Sequence, residues 1–417
     1  MAQLSDDCFA FGGTLLGVDE ALALIAQRIT PVVESETVPL GEALGRVLAH
    51  DLVAAMNVPP HANSAVDGYA IIHADLLPDR DTVLPVTGRA AAGHPLGRAI
   101  ERGEAIRIFT GAPMPEGADT VMMQEDCVIS KGQVTMKPGL KKGANRRHAG
   151  EDVAEGAIVQ HAGRRLGPAD LGLVAALGHD RLRVHKRLRV ALISTGDEVR
   201  NPGAPLPPGA IYDANRIMLD SLLRGLGCTV SDLGIIADRE TALADILAEA
   251  AEQHDLIVTS GGVSTGEEDH VKAAIERLGR LDFWRLAIKP GRPVALGQVS
   301  GVPLIGLPGN PVAAALTFAI IGRPLILRLA GAVEPAPQTF RVTAAFAYKK
   351  RAGRREYVRV TLARNDGALM ALKYPKDGAG ILSSVVNCDG FVIVDEAATQ
   401  LEPGTAVEFL PFAGIIT

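Results

Sequence analysis

From residue 189 to residue 329 short apolar runs alternate with amphipathic segments, and no other feature constrains the chain as tightly. Arg189–Ser194 (Arg-Val-Ala-Leu-Ile-Ser) is the kind of run a strand buried on both faces requires. After it, Leu219, Leu222, Leu223 and Leu226 fall at i, i+3, i+4 and i+7, one stripe of a helix. Gly227 follows where a C′ glycine belongs. Cys228–Ile236 reads as the next strand, and Leu243, Ile246, Leu247 and Ala250 mark the next helix. Asp255–Ser260 is a third strand and His270–Leu278 a third helix. Pro293–Leu296 and Val302–Ile305 add strands, and a helix runs from Pro311 to about Leu329. This order predicts a doubly wound, mostly parallel α/β sheet with helices on both faces. Ligands of such sheets sit beyond the carboxyl ends of the strands.

The flanking sequence follows other periods. Residues 18–29 carry Val18, Leu22, Ile25 and Ile29 on one helical stripe. Region 56–155 holds short β-rich runs such as Ala105–Phe109 and Thr120–Met123. They are broken by Pro59-Pro60, Gly93, Pro113, Pro115 and Pro138-Gly139, which predicts a β-rich inserted domain. Beyond Ala330 the helical signal stops. Alternating runs at Arg341–Tyr348, Tyr357–Leu362, Phe391–Asp395 and Val407–Phe412, with an Asn365-Asp366-Gly367 turn, predict a small C-terminal all-β domain. A chain of 417 residues is too long for one core, so this multidomain α/β plus β reading also suits its length. Aromatics make up only 4%, so Ala, Val, Leu and Ile must fill the cores.

The net charge of −6 gives no electrostatic basis for nucleic-acid binding, and an anionic ligand needs a local cluster of cations. Cys8, Cys127, Cys228 and Cys388 are widely spaced, which disfavours a zinc site or disulfide framework and fits a reducing compartment. The first residues show no apolar signal-peptide core, and the longest apolar stretch, Pro311 to Gly322, stops at Arg323. That is short of the ~20 residues a membrane span needs, so the expectation is a soluble, cytoplasmic protein.

Three loops follow predicted strands. Ser194-Thr195-Gly196-Asp197-Glu198 leaves hydroxyls and carboxylates at the sheet edge, although it also reads as an ordinary polar loop. Ser260-Gly261-Gly262-Val263-Ser264-Thr265-Gly266 precedes Glu267, Glu268 and Asp269 at a helix start. Its backbone N–H groups suit a phosphate, while the acids also suit the helix dipole alone. Gly306-Leu307-Pro308-Gly309-Asn310-Pro311 brings a third set of donors, with Asn310 and Pro311 equally explained as N-cap and first helical residue. Lys289-Pro290-Gly291-Arg292-Pro293 holds two cations on a stiff turn. Lys141, Lys142, Arg146, Arg147 and His148 form a basic run that reads either as solvated loop or as an anion dock. Asn63-Ser64-Ala65-Val66-Asp67-Gly68-Tyr69-Ala70 contains an Asp-Gly turn whose carboxylate matters if the domain meets the sheet edge.

Taken in chain order from Asn63 to Pro311, and with Phe109–Pro113, Arg146–Asp152 and Tyr212–Arg216, the motifs resemble the molybdopterin molybdenumtransferases, the family that includes the C-terminal part of gephyrin. The resemblance spans residue 17 to the end. It implies a homodimer of four-domain subunits: an α/β molybdopterin-binding domain (17–31 with 180–330), a connecting domain (32–55 with 157–179), a β-rich domain (56–156) and a β-barrel-like domain (331–417). It implies that molybdenum from molybdate enters adenylylated molybdopterin with Mg²⁺-dependent release of AMP. The molybdopterin adenylyltransferase and cofactor-accepting enzymes would be further partners, with no nucleic acid and no membrane. The same resemblance leaves two alternatives, a molybdopterin adenylyltransferase and a non-catalytic gephyrin-like scaffold.

Residue by residue, the resemblance implies catalytic roles for Asp67, Asp152, Glu198 and Asp269, and Mg²⁺ ligation by Asp238, Asp269 and Glu198. It implies substrate binding by Thr110, Arg146, Arg147, Thr195, Gly196, Ser260, Gly261, Gly262, Ser264, Lys289, Arg292, Pro308, Asn310 and Pro311. Near the C-terminus, Arg354 or Arg355 and Ser383 or Ser384 look like the family's Gly-Arg and Ser-Ser positions. Val66 stands where the family usually has Met. Arg292 replaces a lysine, keeping the charge but presenting a planar fork.

Overall fold

The computed structural model describes residues 15–236, 240–261, 270–291, 293–333 and 336–416. The chain divides into two compact units, Met1–His50 with Ala162–Gly167 and Arg181–Thr417, and Asp51–His161 with Pro168–Asp180.

The centre of the first unit is a six-stranded sheet. Its strands are β1 (Arg189–Thr195), β2 (Thr229–Ile236), β3 (Leu256–Ser260), β4 (Gly279–Arg285), β5 (Pro293–Val299) and β6 (Val302–Leu307), in the order β2-β1-β3-β6-β5-β4. The first four in that order are parallel, β5 runs antiparallel to them, and the edge strand β4, antiparallel to β5, returns to their direction. A two-residue turn reverses β5 into β6. Its residues Ser300 (φ +50°) and Gly301 (φ +80°) both take the left-handed conformation that hairpin turns of this kind need. The sequence expectations hold no strand at β4, because Arg280, Asp282 and Arg285 break its apolar run. Its Trp284 is fully buried all the same.

Helices α1 (Ala214–Gly225), α2 (Glu240–Gln253), α3 (His270–Leu278) and α4 (Pro311–Thr317) cover the sheet. Alternation along β1 accounts for the two layers. Val190 and Leu192 face a core with Leu219 and Leu223 of α1 and Leu316 of α4, while Ala191 and Ile193 face Leu243 and Leu247 of α2 and Ile275 of α3. A π-helical turn, Phe318–Gly322, carries α4 into Arg323–Leu329, and the whole apolar segment is mostly buried in this core. The amphipathic helix Val18–Arg28 turns Val18, Ala21 and Ile25 onto the same core.

Five C-terminal strands close into a barrel. Arg355–Asn365 pairs with Ala368–Lys373, that strand with Phe340–Ala344, that with Ala406–Pro411, and that with Gly390–Val394, which returns to Arg355–Asn365. Val342, Val358, Val360, Val392 and Phe409 fill its interior. Ile288–Lys289 adds in parallel to Arg355–Glu356, which brings Lys289 alongside the barrel.

In the second unit, Thr120–Met123, Gly68–Ile71, Ala105–Ile108, Thr82–Ala90, Gln133–Met136 and Cys127–Ser130 make a six-stranded sheet in that order. Residues 32–55 and 157–179 are shared between the units. Ser35–Pro39 pairs with Arg181–His185 in the first, and Leu52–Val53 with Ile158–Gln160 in the second.

Glu104 of the second unit is buried against Arg98 and Thr87 and accepts the backbone N–H of Glu101 at 2.7 Å. The hydrogen bond from Arg98 is the main reason its carboxyl falls to about 2. A depressed carboxylate stabilises the fold above its unfolded value, 4.5, and loses that effect as pH falls toward 2. Glu104→Gln is therefore expected to lower the melting temperature at pH 7. The gap to the unsubstituted chain should close between pH 4.5 and 2 in thermal melts across that range.

Candidate functional site

Strand β1 has β2 on one side and β3 on the other, so the chain winds away from it in both directions. Parallel sheets form ligand crevices at such a switch point. At the carboxyl ends of β1 and β3 lies a cavity of ≈ 110 Å³ lined by Ser194, Thr195, Glu198, Ser260, Gly261 and Gly309, among others. Gly261 has φ +82°, and a β-carbon there would stand 2.8 Å from the Thr195 carbonyl oxygen, so only glycine lets the two loops approach. The Thr195 hydroxyl is buried and has no hydrogen-bond partner among the described residues. Glu198 lies exposed at the mouth, its carbonyl accepting the Ile211 N–H at 2.8 Å.

Asn215 ties the Ser260 and Gly309 loops together. It lies one residue inside α1, whose N-cap Asp213 accepts the Arg216 N–H at 3.0 Å. Its buried amide donates to Ser260 Oγ at 3.0 Å and to the Gly309 carbonyl at 2.8 Å.

A second cavity, ≈ 360 Å³, opens beside Lys289 and is lined also by Tyr348, Lys349, Arg359, Lys373 and Asp377. The first turn of α4 stands between the two cavities. Pro311 lines one, and the Val312 N–H donates at 2.9 Å to the carbonyl of Ala379, which lines the other. The Lys289 turn packs on the same helix, since a β-carbon on Gly291 would stand 2.6 Å from Thr317 Oγ1. Lys289 donates to Glu356 at 3.0 Å, and the Tyr348 hydroxyl donates to the same carboxylate oxygen at 2.7 Å. Burial first, and Glu356 second, push the Tyr348 hydroxyl well above its ordinary value. Arg359 is 8% exposed and donates to the Gly378 carbonyl at 3.1 Å, while its Nε has no partner among the described residues. Burial lowers its pKa, against the smaller opposing effect of the Asp377 charge. Four lining cations against two paired carboxylates, Glu356 and Asp377, leave an excess of two positive charges.

The second unit gathers its own motifs. Asn63–Ser64 pairs with Arg146–Arg147, and Asp67 accepts the Thr110 N–H at 2.8 Å and hydroxyl at 2.7 Å. Those two bonds, the backbone one first, hold the Asp67 carboxyl below its usual range. The Asp152 N–H donates to the Val58 carbonyl, and its side chain is exposed.

Of the residues singled out from sequence, Thr195, Glu198, Ser260, Gly261 and Pro311 line the first cavity. Pro308 accepts a 3.4 Å hydrogen bond from Asn215 there, Gly196 lies beside Glu198, and Asn310 caps α4 through its backbone. Lys289 lines the second cavity. Asp238, Gly262, Ser264, Asp269 and Arg292 lie outside the described residues. Ser383 is exposed, its hydroxyl 3.4 Å from that of Tyr374 on the rim of the second cavity, and Ser384 is buried and donates to the Ile381 carbonyl. Arg355 is taken by Asp19 at 2.8 Å and Glu396 at 3.1 Å, and Arg354 stands outside the cavity lining. Arg359, Lys373 and Tyr348 were not anticipated. The one available signal was a charged residue, Arg359, inside the otherwise strand-like Tyr357–Leu362 run.

Fold and cavities define a class: an α/β protein with a polar cavity at a sheet switch point, beside a barrel that lines a cation-rich cavity. Residues 16–178 match the MoeA N-terminal region (domain I and II), 191–328 the probable molybdopterin binding domain, and 341–412 the MoeA C-terminal region (domain IV). The chain is 37% identical over 401 residues to a molybdopterin molybdenumtransferase of Haemophilus influenzae, covering 95% of this chain and 99% of that one. It is 36% identical over 382 residues to molybdopterin molybdenumtransferase 2 of Mycobacterium tuberculosis, covering 89% of this chain and 94% of that one. The crystal structure of a molybdopterin biosynthesis MoeA protein from Pyrococcus horikoshii superposes with a TM-score of 0.81 at 28% identity, over 95% of this chain and 100% of that one. The chain belongs to the molybdopterin molybdenumtransferase family.

Removing the Asn215 amide leaves Ser260 and the Gly309 carbonyl without their shared donor. Asn215→Ala is expected to cost about 1–3 kcal/mol in denaturant unfolding, and an unchanged midpoint would refute its bridging role.

Proposed function

We propose that this chain inserts molybdenum from molybdate into adenylylated molybdopterin, releasing AMP and giving molybdenum cofactor. The observation that carries this reading is the excess of two positive charges around a buried, incompletely bonded guanidinium, Arg359, beside Lys289. A tetrahedral dianion matches that excess, and a planar fork with a free Nε suits its oxygens. Lys289, held by Glu356, presents its remaining ammonium protons to the same anion. Arg292 adds a further cation to this reading.

The adjoining cavity then takes the adenylylated pterin. The orphaned Thr195 hydroxyl, Ser260 and the backbone at Gly261 and Gly309 would bind and orient its phosphates. The first turn of α4 sets the two substrates side by side. Glu198, the Thr195 hydroxyl and Ser260 form an oxygen-only wall that fits Mg²⁺, to which Asp238 and Asp269 would add carboxylates. Bound there, Mg²⁺ would supply Lewis-acid polarisation of the phosphoanhydride. Asp67 and Asp152 keep the catalytic roles that the family resemblance implies, with Thr110 fixing the Asp67 carboxylate and Arg146 and Arg147 as anion contacts. A cytoplasmic homodimer, supplied by the molybdopterin adenylyltransferase and delivering to cofactor-accepting enzymes, completes the proposal.

Mass spectrometry after supplying adenylylated pterin, Mg²⁺ and molybdate tests it. A molybdenum-bearing pterin with stoichiometric AMP is expected. AMP transfer from ATP to the pterin without molybdate would instead identify an adenylyltransferase, and no binding of either substrate a scaffold. Arg359→Met should raise the KM for molybdate roughly 10- to 100-fold, the loss of a charge-assisted bond. Asp269→Ala should abolish AMP release without altering the oligomeric state seen in gel filtration, and retained AMP release would remove Asp269 from the mechanism.

A further inference from the structure

Lys373 shares a cavity with Lys289 and Arg359 but belongs to none of the motifs read from the sequence. Its ammonium lies 5.8 Å from the centre of the Tyr348 ring, and that of Lys289 lies 5.9 Å from the same centre. Two cations thus attend one aromatic ring, and their like charges oppose each other unless anions intervene.

Their counterions differ in kind. Lys289 pairs with Glu356, whose side chain is 2% exposed and also takes the Tyr348 hydroxyl, so that acid is enclosed and doubly bonded. Lys373 pairs at 2.8 Å with Asp377, and here the exposures run the other way. The lysine is 23% exposed, the aspartate 72%. The cation therefore faces the cavity while its acid stands in water at the rim. A solvated pair of this sort is held weakly and screened by salt, whereas an enclosed pair resists separation. An entering dianion competes with Asp377 far more easily than with Glu356.

We infer that Lys373 is an oxyanion-binding residue and Asp377 its resting counterion, displaced when a tetrahedral dianion enters the cavity. The inference rests on the molybdate reading above for the identity of the anion, but not for the role of the lysine. Sulfate shares the tetrahedral dianion chemistry and serves as a second probe.

Isothermal titration of the full chain with molybdate separates this role from a structural one. Lys373→Met should weaken binding roughly 10- to 100-fold. Asp377→Asn removes the competitor and should tighten binding several-fold. A merely structural pair predicts the same sign for both variants, so weaker binding by Asp377→Asn, or unchanged binding by Lys373→Met, overturns the inference. Asp377 is exposed, so its variant remains decisive even where Lys373→Met fails to fold. If the unsubstituted chain binds sulfate but not molybdate and the opposite-sign pattern holds with sulfate, the role of Lys373 stands and the molybdate reading falls. Binding of neither dianion overturns both.

Discussion

The arrangement of both cavities depends on how the barrel is fastened to the α/β sheet. Two backbone contacts do this beside the site: the Val312 N–H on the Ala379 carbonyl at 2.9 Å, and the parallel pairing of Ile288–Lys289 with Arg355–Glu356. The first joins the α4 first turn to the loop carrying Asp377 and Gly378. The second lays the Lys289 turn along the strand that carries Arg359. Because backbone bonds and not long side chains make these links, the cations of the barrel hold fixed positions relative to the sheet edge. Electrostatic recognition needs that rigidity.

The two cavities present different donors. At the sheet switch point the donors are neutral, being hydroxyls and backbone amides held close by Gly261 and by the Asn215 amide. Beside the barrel they are formal charges, one of them a guanidinium buried without a carboxylate. Burying an uncompensated cation costs free energy that the fold must offset elsewhere. Such a cost persists where a ligand supplies the missing charge.

Periodicity made much of this legible. The apolar runs at β1, β3 and β6 are buried on both faces, so their composition announces parallel strands, and the loops after them announce the sheet edge. Strand β4 and the antiparallel sense of β5 were harder to read. An edge strand tolerates Arg280 and Asp282, and a Ser-Gly turn decides direction through two φ angles. Among site residues, Thr195, Ser260, Gly261 and Lys289 stand in short motifs whose chemistry is local. Arg359, Lys373 and Tyr348 come from three separate strands and no motif links them.

Sequence alone determined most strands and helices of the α/β region, where glycine and proline shape loops, and that cations must cluster if an anion binds. Those properties depend on neighbours a few residues apart. Only the tertiary structure decided that Lys289, Arg359 and Lys373 face one space, that Glu356 is enclosed and Asp377 is not, and that a single helix turn divides two cavities. Charge balance in a cavity is a sum over distant parts of the chain, and its sign emerges only once packing has chosen which groups share the same low-dielectric volume.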